Sequence, residues 1–235
     1  MPSSWRSLLL DGWYMKNQNV SIRVDDVQLE GDLVLQDNDA GLVLFAHGSG
    51  SSRLSPRNQF VASALQQAGI GTLLFDLLTR DEEAAERVSR HLRFDIPMLA
   101  RRLNEATRWA MDNATTRDVP LGYFGSSTGA AAALMAAAEL GEAISAIVSR
   151  GGRPDLAGDA LRRVSAPTLL IVGKHDPEVL ALNEDAYAAL GCEKSLRVVP
   201  DASHLFEEPG KLELVASMAA EWFADRLKPI PSTTR

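Results

Sequence analysis

The stretch PLGYFGSSTGAAAALMAAAEL, residues 120–140, decides the fold prediction. Its first residues are apolar or small, as in a buried strand, and its last eleven are strong helix formers. Between them, residues 125–129 read Gly-Ser-Ser-Thr-Gly, a G-x-S-x-G motif at a strand-to-helix turn. Small flanking residues allow a sharp turn from which the Ser127 hydroxyl projects. The motif therefore makes Ser127 a candidate nucleophile, with a tight packing turn as the alternative.

Short apolar runs alternate with helical stretches on both sides of this motif, from residue 41 onward. Before them, Val20–Val24 and 27–35 predict an antiparallel pair of strands. The further runs that predict strands are 41–47, 70–76, 120–125, 143–149, 168–173 and 195–200. This alternation predicts the α/β class: one domain over 1–235, with its core at about 18–227 and short flexible ends. A mostly parallel, eight-stranded sheet would have helices on both faces and ligand groups at its carboxyl edge.

A serine hydroxyl needs a base, and the base needs an acid that orients it. Asp176 follows the strand at 168–173, and His204 follows the strand at 195–200. Nucleophile, acid and base thus occur in the order Ser127, Asp176, His204. Of the other histidines, His91 lies in a charged stretch and His175 directly precedes Asp176, so neither suits the role of base.

The oxyanion of a tetrahedral intermediate needs two backbone N–H donors. Thr128 would supply one at the start of its helix, and Ser49, in the Gly/Ser loop after the strand at 41–47, would supply the other. Phosphate binding is the alternative for this loop, but it has no G-K-[ST], and Arg53 stands where G-x-G-x-x-G needs its third glycine.

These motifs resemble the α/β-hydrolase superfamily and, within it, the dienelactone hydrolase-like family of small members without a large cap domain. The resemblance rests on AHGSG (46–50), GSSTG (125–129), VGKHD (172–176) and DASH (201–204). It implies an α/β-hydrolase fold and cleavage of esters or lactones without a cofactor or metal. True dienelactone hydrolases use a cysteine nucleophile, whereas Ser127 stands here, so a carboxylesterase is expected. The stretches SSRLSPRN (51–58) and SRGGRPD (149–155) resemble a subgroup found alone or fused to a phosphoribosyltransferase domain.

The sequence is also compatible with three other functions. Lactone hydrolysis and acyl transfer or perhydrolysis would use the same triad, and a non-catalytic binding protein could keep the fold. His47, Arg53 and Arg150 are candidate substrate-binding residues, since they follow or end strands at the carboxyl edge, and His47 also suits packing of the turn and support of the oxyanion loop. With Arg57 and Arg153, the two arginines could bind an anionic substrate. Ion pairs with loop carboxylates are the alternative for the arginines.

Composition favours a small ester or acyl substrate as the partner. A net charge of −7 over 235 residues gives no broad cationic surface for nucleic acid or an anionic membrane. The single cysteine excludes a disulfide within the chain, and no apolar run is long enough for a signal peptide or membrane span. We expect a cytoplasmic protein that is a monomer or homodimer.

Overall fold

The computed structural model describes residues 6–10, 13–36, 39–89 and 91–227. The short flexible ends predicted before residue 18 and after 227 lie partly outside these ranges. In chain order the strands are β1 (Arg6–Leu10), β2 (Trp13–Val24), β3 (Val27–Gln36), β4 (Leu42–Ala46), β5 (Gly71–Phe75), β6 (Leu121–Ser126), β7 (Ile144–Arg150), β8 (Thr168–Gly173) and β9 (Lys194–Val199). The helices are α1 (Pro56–Gln67), α2 (Arg80–Ser89), α3 (Ile96–Asp112), α4 (Thr128–Leu140), α5 (Pro177–Ala189) and α6 (Lys211–Arg226).

All strands join one sheet in the order β1-β2-β3-β5-β4-β6-β7-β8-β9. The first three strands and the β3–β5 pair are antiparallel, and every pairing from β5 to β9 is parallel. The mostly parallel sheet and the early antiparallel pair are confirmed. Each of the eight predicted strands is present, and β1 is an additional strand that precedes them.

Helices cover both faces of the sheet. Apolar residues of α1 and α6 pack on one face, against β4, β6, β7 and β8. On the other face, α3, α4 and α5 pack with a 3₁₀ segment at Pro154–Arg163. Helix α4 is buried along nearly its whole length, which its alanines permit because they leave room for close neighbours on each side.

The register of the parallel strands places their carboxyl ends side by side. Ala46 of β4 pairs with Gly125 of β6, and Ser126 of β6 pairs with Arg150 of β7. The loops that follow β4, β6, β7, β8 and β9 therefore emerge along one edge of the sheet. This edge holds every residue predicted for the site.

The connection between β5 and α3 carries helix α2 and a 3₁₀ turn at Leu92–Phe94. Arg102 of α3 fastens α2 in place, since its guanidinium donates to both carboxylate oxygens of Glu82 at 2.7 and 2.6 Å. The same arginine donates to the Leu77 carbonyl at 2.7 Å. One short helix therefore covers this part of the edge, and no large cap domain is present in the described ranges.

Candidate active site

Ser127 occupies the tight turn between β6 and α4. Its backbone has φ 51° and ψ −124°, a combination that residues other than glycine rarely adopt. The residue immediately before it ends β6, and the residue after it begins α4. Such a turn lifts the hydroxyl away from both elements, as the G-x-S-x-G motif predicts.

The glycines around this turn are required by close backbone approaches. A Cβ on Gly125 would lie 2.5 Å from the Cα of Ala130, and a Cβ on Gly129 would overlap the carbonyl oxygen of Ala46. On the neighbouring loop, a Cβ on Gly48 would lie 2.8 Å from the Cβ of Ser127. The motif thus packs α4 against β6 and the loop after β4 with no room for side chains.

Asp176 and His204 form a hydrogen-bonded pair at the same edge. His204 Nδ1 lies 2.6 Å from Asp176 Oδ2. Because a carboxylate only accepts, the ring donates from Nδ1, and its Nε2 keeps a free lone pair. The Asp176 side chain is largely buried and that of His204 is part-exposed. The pair is therefore arranged as an acid that orients a base.

Backbone contacts between the loops after β8 and β9 bring this pair together. The amide of His175 donates to the Ala202 carbonyl at 2.9 Å, and the amide of Lys174 donates to the Val199 carbonyl at 2.9 Å. A Cβ on Gly173 would lie 2.6 Å from the Ser203 carbonyl oxygen. The two loops are therefore in contact just before Asp176 and His204, and this contact brings the two side chains within hydrogen-bond distance.

Gly151 links the His204 loop to the Ser127 turn. It has φ +51°, and a Cβ there would lie 3.1 Å from the His204 carbonyl oxygen and 3.5 Å from Nδ1. The residue before it, Arg150, accepts a bond from the Ser127 amide at 3.3 Å. Among the hydrogen bonds of the described residues, none joins Ser127 Oγ to His204. Such bonds often tighten only when substrate binds.

The two predicted oxyanion donors contact each other. The Thr128 amide begins α4, where helix amides have no partner within the helix. The Ser49 amide donates to Thr128 Oγ1 at 3.1 Å, and the two hydroxyls are 3.0 Å apart. Ser49 N–H therefore reaches a substrate oxygen only if the Thr128 hydroxyl releases it.

His47 supports the loop and has no free ring nitrogen for a substrate. Its Nε2 accepts from the Leu77 amide at 2.9 Å, and its Nδ1 lies 3.1 Å from the Gly48 carbonyl oxygen, to which it donates. The ring is buried. Burial lowers the pKa of His47, against smaller raising effects from Gly48 and Asp76. Of the two roles predicted for His47, these contacts favour support of the loop that carries Ser49 over substrate binding.

We expect this buried neutral imidazole to make the protein less stable in acid. Because burial lowers its pKa, the native ring binds a proton less readily than the unfolded ring, whose ordinary pKa is near 6.5. Between pH 7.5 and 5.5, this residue should lower the free energy of unfolding by up to about 1.4 kcal/mol. Urea unfolding of His47→Gln should show a correspondingly smaller loss over that interval. His91→Gln, which changes an exposed histidine, should match the parent; equal pH dependence in all three proteins would contradict this account.

A cavity of about 160 Å³ opens beside the Ser49 loop. Its apolar wall consists of Leu77, Leu78 and Leu99, and Thr128 also lines it. Glu86 and Arg93, which lie on α2 and the 3₁₀ turn and form an ion pair at 2.7 Å, contribute polar groups. The volume is below the 300 to 1,000 Å³ typical of drug-sized ligands. It suits a small apolar group beside Thr128, the residue that follows the candidate nucleophile.

The arginines of the edge differ in their partners. Arg53 pairs with Asp76 and, at 3.3 Å, with Asp32, so its side chain holds loops together, as the ion-pair alternative proposes. Arg153 pairs with Asp155 at 2.7 Å. Arg150 is buried, and its Nε and Nη1 have no hydrogen-bond partner. Of these three arginines, only Arg150 has no acidic partner within the described ranges.

One residue that shapes the site was missed at the sequence level. Glu208 Oε1 accepts from the Ser203 amide at 3.0 Å and so holds the turn that presents His204. Hydrogen bonding to Ser203 lowers the pKa of this carboxyl. A carboxylate five residues after a small residue is the available signal, but a sequence contains too many such pairs for this one to be singled out.

Two further features are absent from the described residues. No group of three or more His, Cys, Asp or Glu side chains is placed to hold a metal ion. No helix there has the length and apolar character needed to cross a membrane. His91 and His175 are both exposed, which agrees with their exclusion as bases.

Comparisons with known proteins agree with this fold. Residues 39–228 match a family model described as an alpha/beta hydrolase domain. The crystal structure of a dienelactone hydrolase from Anabaena variabilis is 56% identical, with a TM-score of 0.89, over 91% of this chain and 99% of that one. Est1E from Butyrivibrio proteoclasticus, at 16% identity and a TM-score of 0.73 over 88% and 98% of the two chains, shares the fold.

The curated relatives are longer proteins. One from each of two strains of Mycobacterium tuberculosis is 52% identical over 213 residues, and its curated name gives it, provisionally, as a phosphoribosyl transferase. The match covers 91% of this chain but 47% of each relative, so the chain spans about half the length of the curated relatives it matches. The matched family model and the dienelactone hydrolase structure agree: the chain belongs to the α/β-hydrolase superfamily and, within it, to the dienelactone hydrolase-like family.

Proposed function

We propose that this α/β-hydrolase cleaves small carboxylic esters through an acyl-enzyme on Ser127. The observation that carries the proposal is the Asp176–His204 pair, at 2.6 Å, on the same sheet edge as a serine in a strained turn. An acid, an oriented imidazole and a projecting hydroxyl are the groups that acyl transfer needs. A fold kept only for binding would not need this arrangement.

In the first half of the reaction, His204 Nε2 takes the Ser127 proton while Ser127 Oγ attacks the ester carbonyl carbon. The carbonyl oxygen becomes negative and accepts from the amides of Thr128 and Ser49, the latter once it leaves Thr128 Oγ1. Asp176 stabilises the imidazolium. The carbon–oxygen bond to the alcohol then breaks, and the alcohol leaves with the proton from Nε2.

In the second half, water replaces the alcohol. His204 takes a proton from the water, whose oxygen attacks the acyl carbon, and the same amides hold the oxyanion. The bond to Ser127 Oγ breaks, the carboxylic acid leaves, and the proton returns to Ser127. One ester and one water yield one acid and one alcohol.

Lactone hydrolysis is a second candidate. The Anabaena variabilis protein at 56% identity is described as a dienelactone hydrolase. A lactone would follow the same steps, except that its alcohol stays attached to the acyl group. Comparing kcat/KM for a lactone and an open ester of equal carbon number separates these candidates.

We do not extend phosphoribosyl transfer to this chain. The curated relatives that bear this name are matched over 47% of their length, and residues 39–228 here match a hydrolase domain. The activity in that name is therefore not supported by the part of those proteins that this chain matches.

We expect kcat/KM on p-nitrophenyl esters to peak at acyl chains of about two to six carbons. Each buried methylene contributes about 0.8 kcal/mol, but only while the chain stays inside an apolar wall. The cavity is small, and the charged side chains of Arg93 and Glu86 line it together with the leucines. Longer chains should gain nothing and then lose rate. A profile that still rises at ten or twelve carbons would show instead that α2 moves away to open a longer trench.

A further inference from the structure

Arg150 lies at the carboxyl end of β7, on the face of the sheet that α1 and α6 cover. Side chains alternate along a strand, and Ala146 and Val148, at the same parity, belong to the core beneath those helices. Ile147, of opposite parity, belongs to the other core. The Arg150 side chain is thus on the same face of the sheet as α1. It lies past the apolar core of that face, at the edge that carries the site.

The guanidinium of Arg150 is buried without any partner. The residue is 7% exposed, and its Nε and Nη1 are fully buried with no hydrogen bond. No carboxylate within the described ranges forms an ion pair with it. Arg53, Arg57 and Arg153, on the same edge, each pair with an acidic side chain.

The charge acting on Arg150 from its surroundings is another positive one. Burial, and to a lesser extent the nearby Arg57 guanidinium, lower the pKa of Arg150 to about 10. A buried unpaired cation costs free energy unless an anion or strong acceptors offset it. Two neighbouring guanidinium groups, one of them free of any acceptor, are suited to bind an anion with several oxygens.

The backbone of Arg150 contacts the candidate nucleophile. The Arg150 carbonyl accepts from the Ser127 amide at 3.3 Å. Arg57, in the first turn of α1, pairs at 2.8 Å with Glu207, three residues after His204. The apolar cavity with Leu77, Leu78 and Leu99 lies on the other side, beneath α2. A substrate bound at Ser127 could thus meet an apolar cavity on one side and two arginines on the other.

We propose that Arg150, assisted by Arg57, binds an anionic group of the ester substrate, a carboxylate or a phosphate. This inference rests on the proposed function for the identity of its ligand as a substrate. It predicts an ester with a short apolar group at one end and an anion at the other. Arg150 is then a substrate-binding residue, whereas Arg53 and Arg153 have structural ion pairs.

Matched substrates test this selectivity. Three phenyl butyrates carry a para carboxylate, a para phosphate or a neutral para acetyl group, and p-nitrophenyl glutarate is paired with p-nitrophenyl valerate to place the charge on the acyl side. In Arg150→Met, the ratio of anionic to neutral kcat/KM should fall about ten- to hundredfold for at least one series, as for a lost charged hydrogen bond. The carboxylate and phosphate members show which anion is preferred. Arg153→Gln, a control on the same edge, should keep the parent ratio.

Arg57→Gln provides a second variant near the surface, in case Arg150→Met does not fold. It should lower the same ratio severalfold. Ratios that stay within twofold of the parent in every variant that folds would overturn the proposal. A fall of equal size in Arg153→Gln would also overturn it, because that result would indicate a general effect of surface charge.

Binding without catalysis separates this inference from the proposed function. In Ser127→Ala, inorganic phosphate or glutarate at constant ionic strength should raise the unfolding temperature, and Ser127→Ala/Arg150→Met should show no such rise. That result supports the anion site even if Ser127→Ala turns out to remain active. An equal rise in both variants, or none in either, would overturn the anion site and leave the triad to be judged by its own variants.

Discussion

Ser127→Ala should lower kcat/KM on p-nitrophenyl butyrate by at least about 10⁴-fold and leave the fold intact. The change removes one oxygen, and without it no acyl-enzyme can form. The remaining amides and cavity can still bind the ester, so any residual rate should come from attack by water. Alanine at φ 51° meets the same backbone strain as serine. Steady-state hydrolysis with a thermal melt of each variant measures both effects.

Ser126→Ala is the matched control for this prediction. Ser126 is the adjacent residue of the same motif, buried at the end of β6, with the same hydroxyl. We expect its kcat/KM to stay within about tenfold of the parent, since its oxygen has no part in the proposed steps. Retention of most activity in Ser127→Ala, or equal losses in both variants, would contradict the assignment of Ser127.

His204→Ala should lower the rate about as much as Ser127→Ala does. The two groups act as one unit, so the double variant should be no slower than either single one. Asp176→Asn should cost less than His204→Ala, because Asp176 orients the ring through its 2.6 Å bond and does not itself take the serine proton. Steady-state kinetics of the four variants on one short ester give the comparison.

His175→Ala is the control for the pair. This histidine directly precedes Asp176 but is exposed, and only its backbone amide is bound, to Ala202. Its variant should keep nearly full activity. Multiplicative losses in the Ser127/His204 double variant would mean that the two residues act independently, and an inactive His175→Ala would move the base to that position.

The parallel part of the fold was predictable because its strands are buried on both sides. Continuous apolar runs such as 41–47 and 168–173 leave few alternatives once helices lie between them. The additional strand β1 has no such signal, since Arg6–Leu10 pairs with one neighbour only, at the edge of the sheet. Helix α2 was also missed: its residues are mostly charged, and Arg102, twenty positions after Glu82, fastens it.

The positions of the triad residues could be predicted from the order of the strands. The roles of the arginines could not, because they depend on ion-pair partners from distant parts of the chain. Strand ends placed Ser127, Asp176 and His204 on one edge, because parallel strands end together. The sequence could not separate Arg53 from Arg150. Both follow or end strands of the same edge, but only Arg53 meets carboxylates in space. Partners of this kind come from residues far apart in the chain.

Labelling with a fluorophosphonate probe, followed by intact mass and peptide mapping, tests most directly whether Ser127 is the nucleophile. We expect one adduct per chain, on Ser127, because only an activated serine displaces fluoride at a useful rate. Ser127→Ala should remain unlabelled, Ser126→Ala should label like the parent, and His204→Ala should label far more slowly. An unlabelled parent protein, or an adduct on any residue other than Ser127, would contradict this assignment.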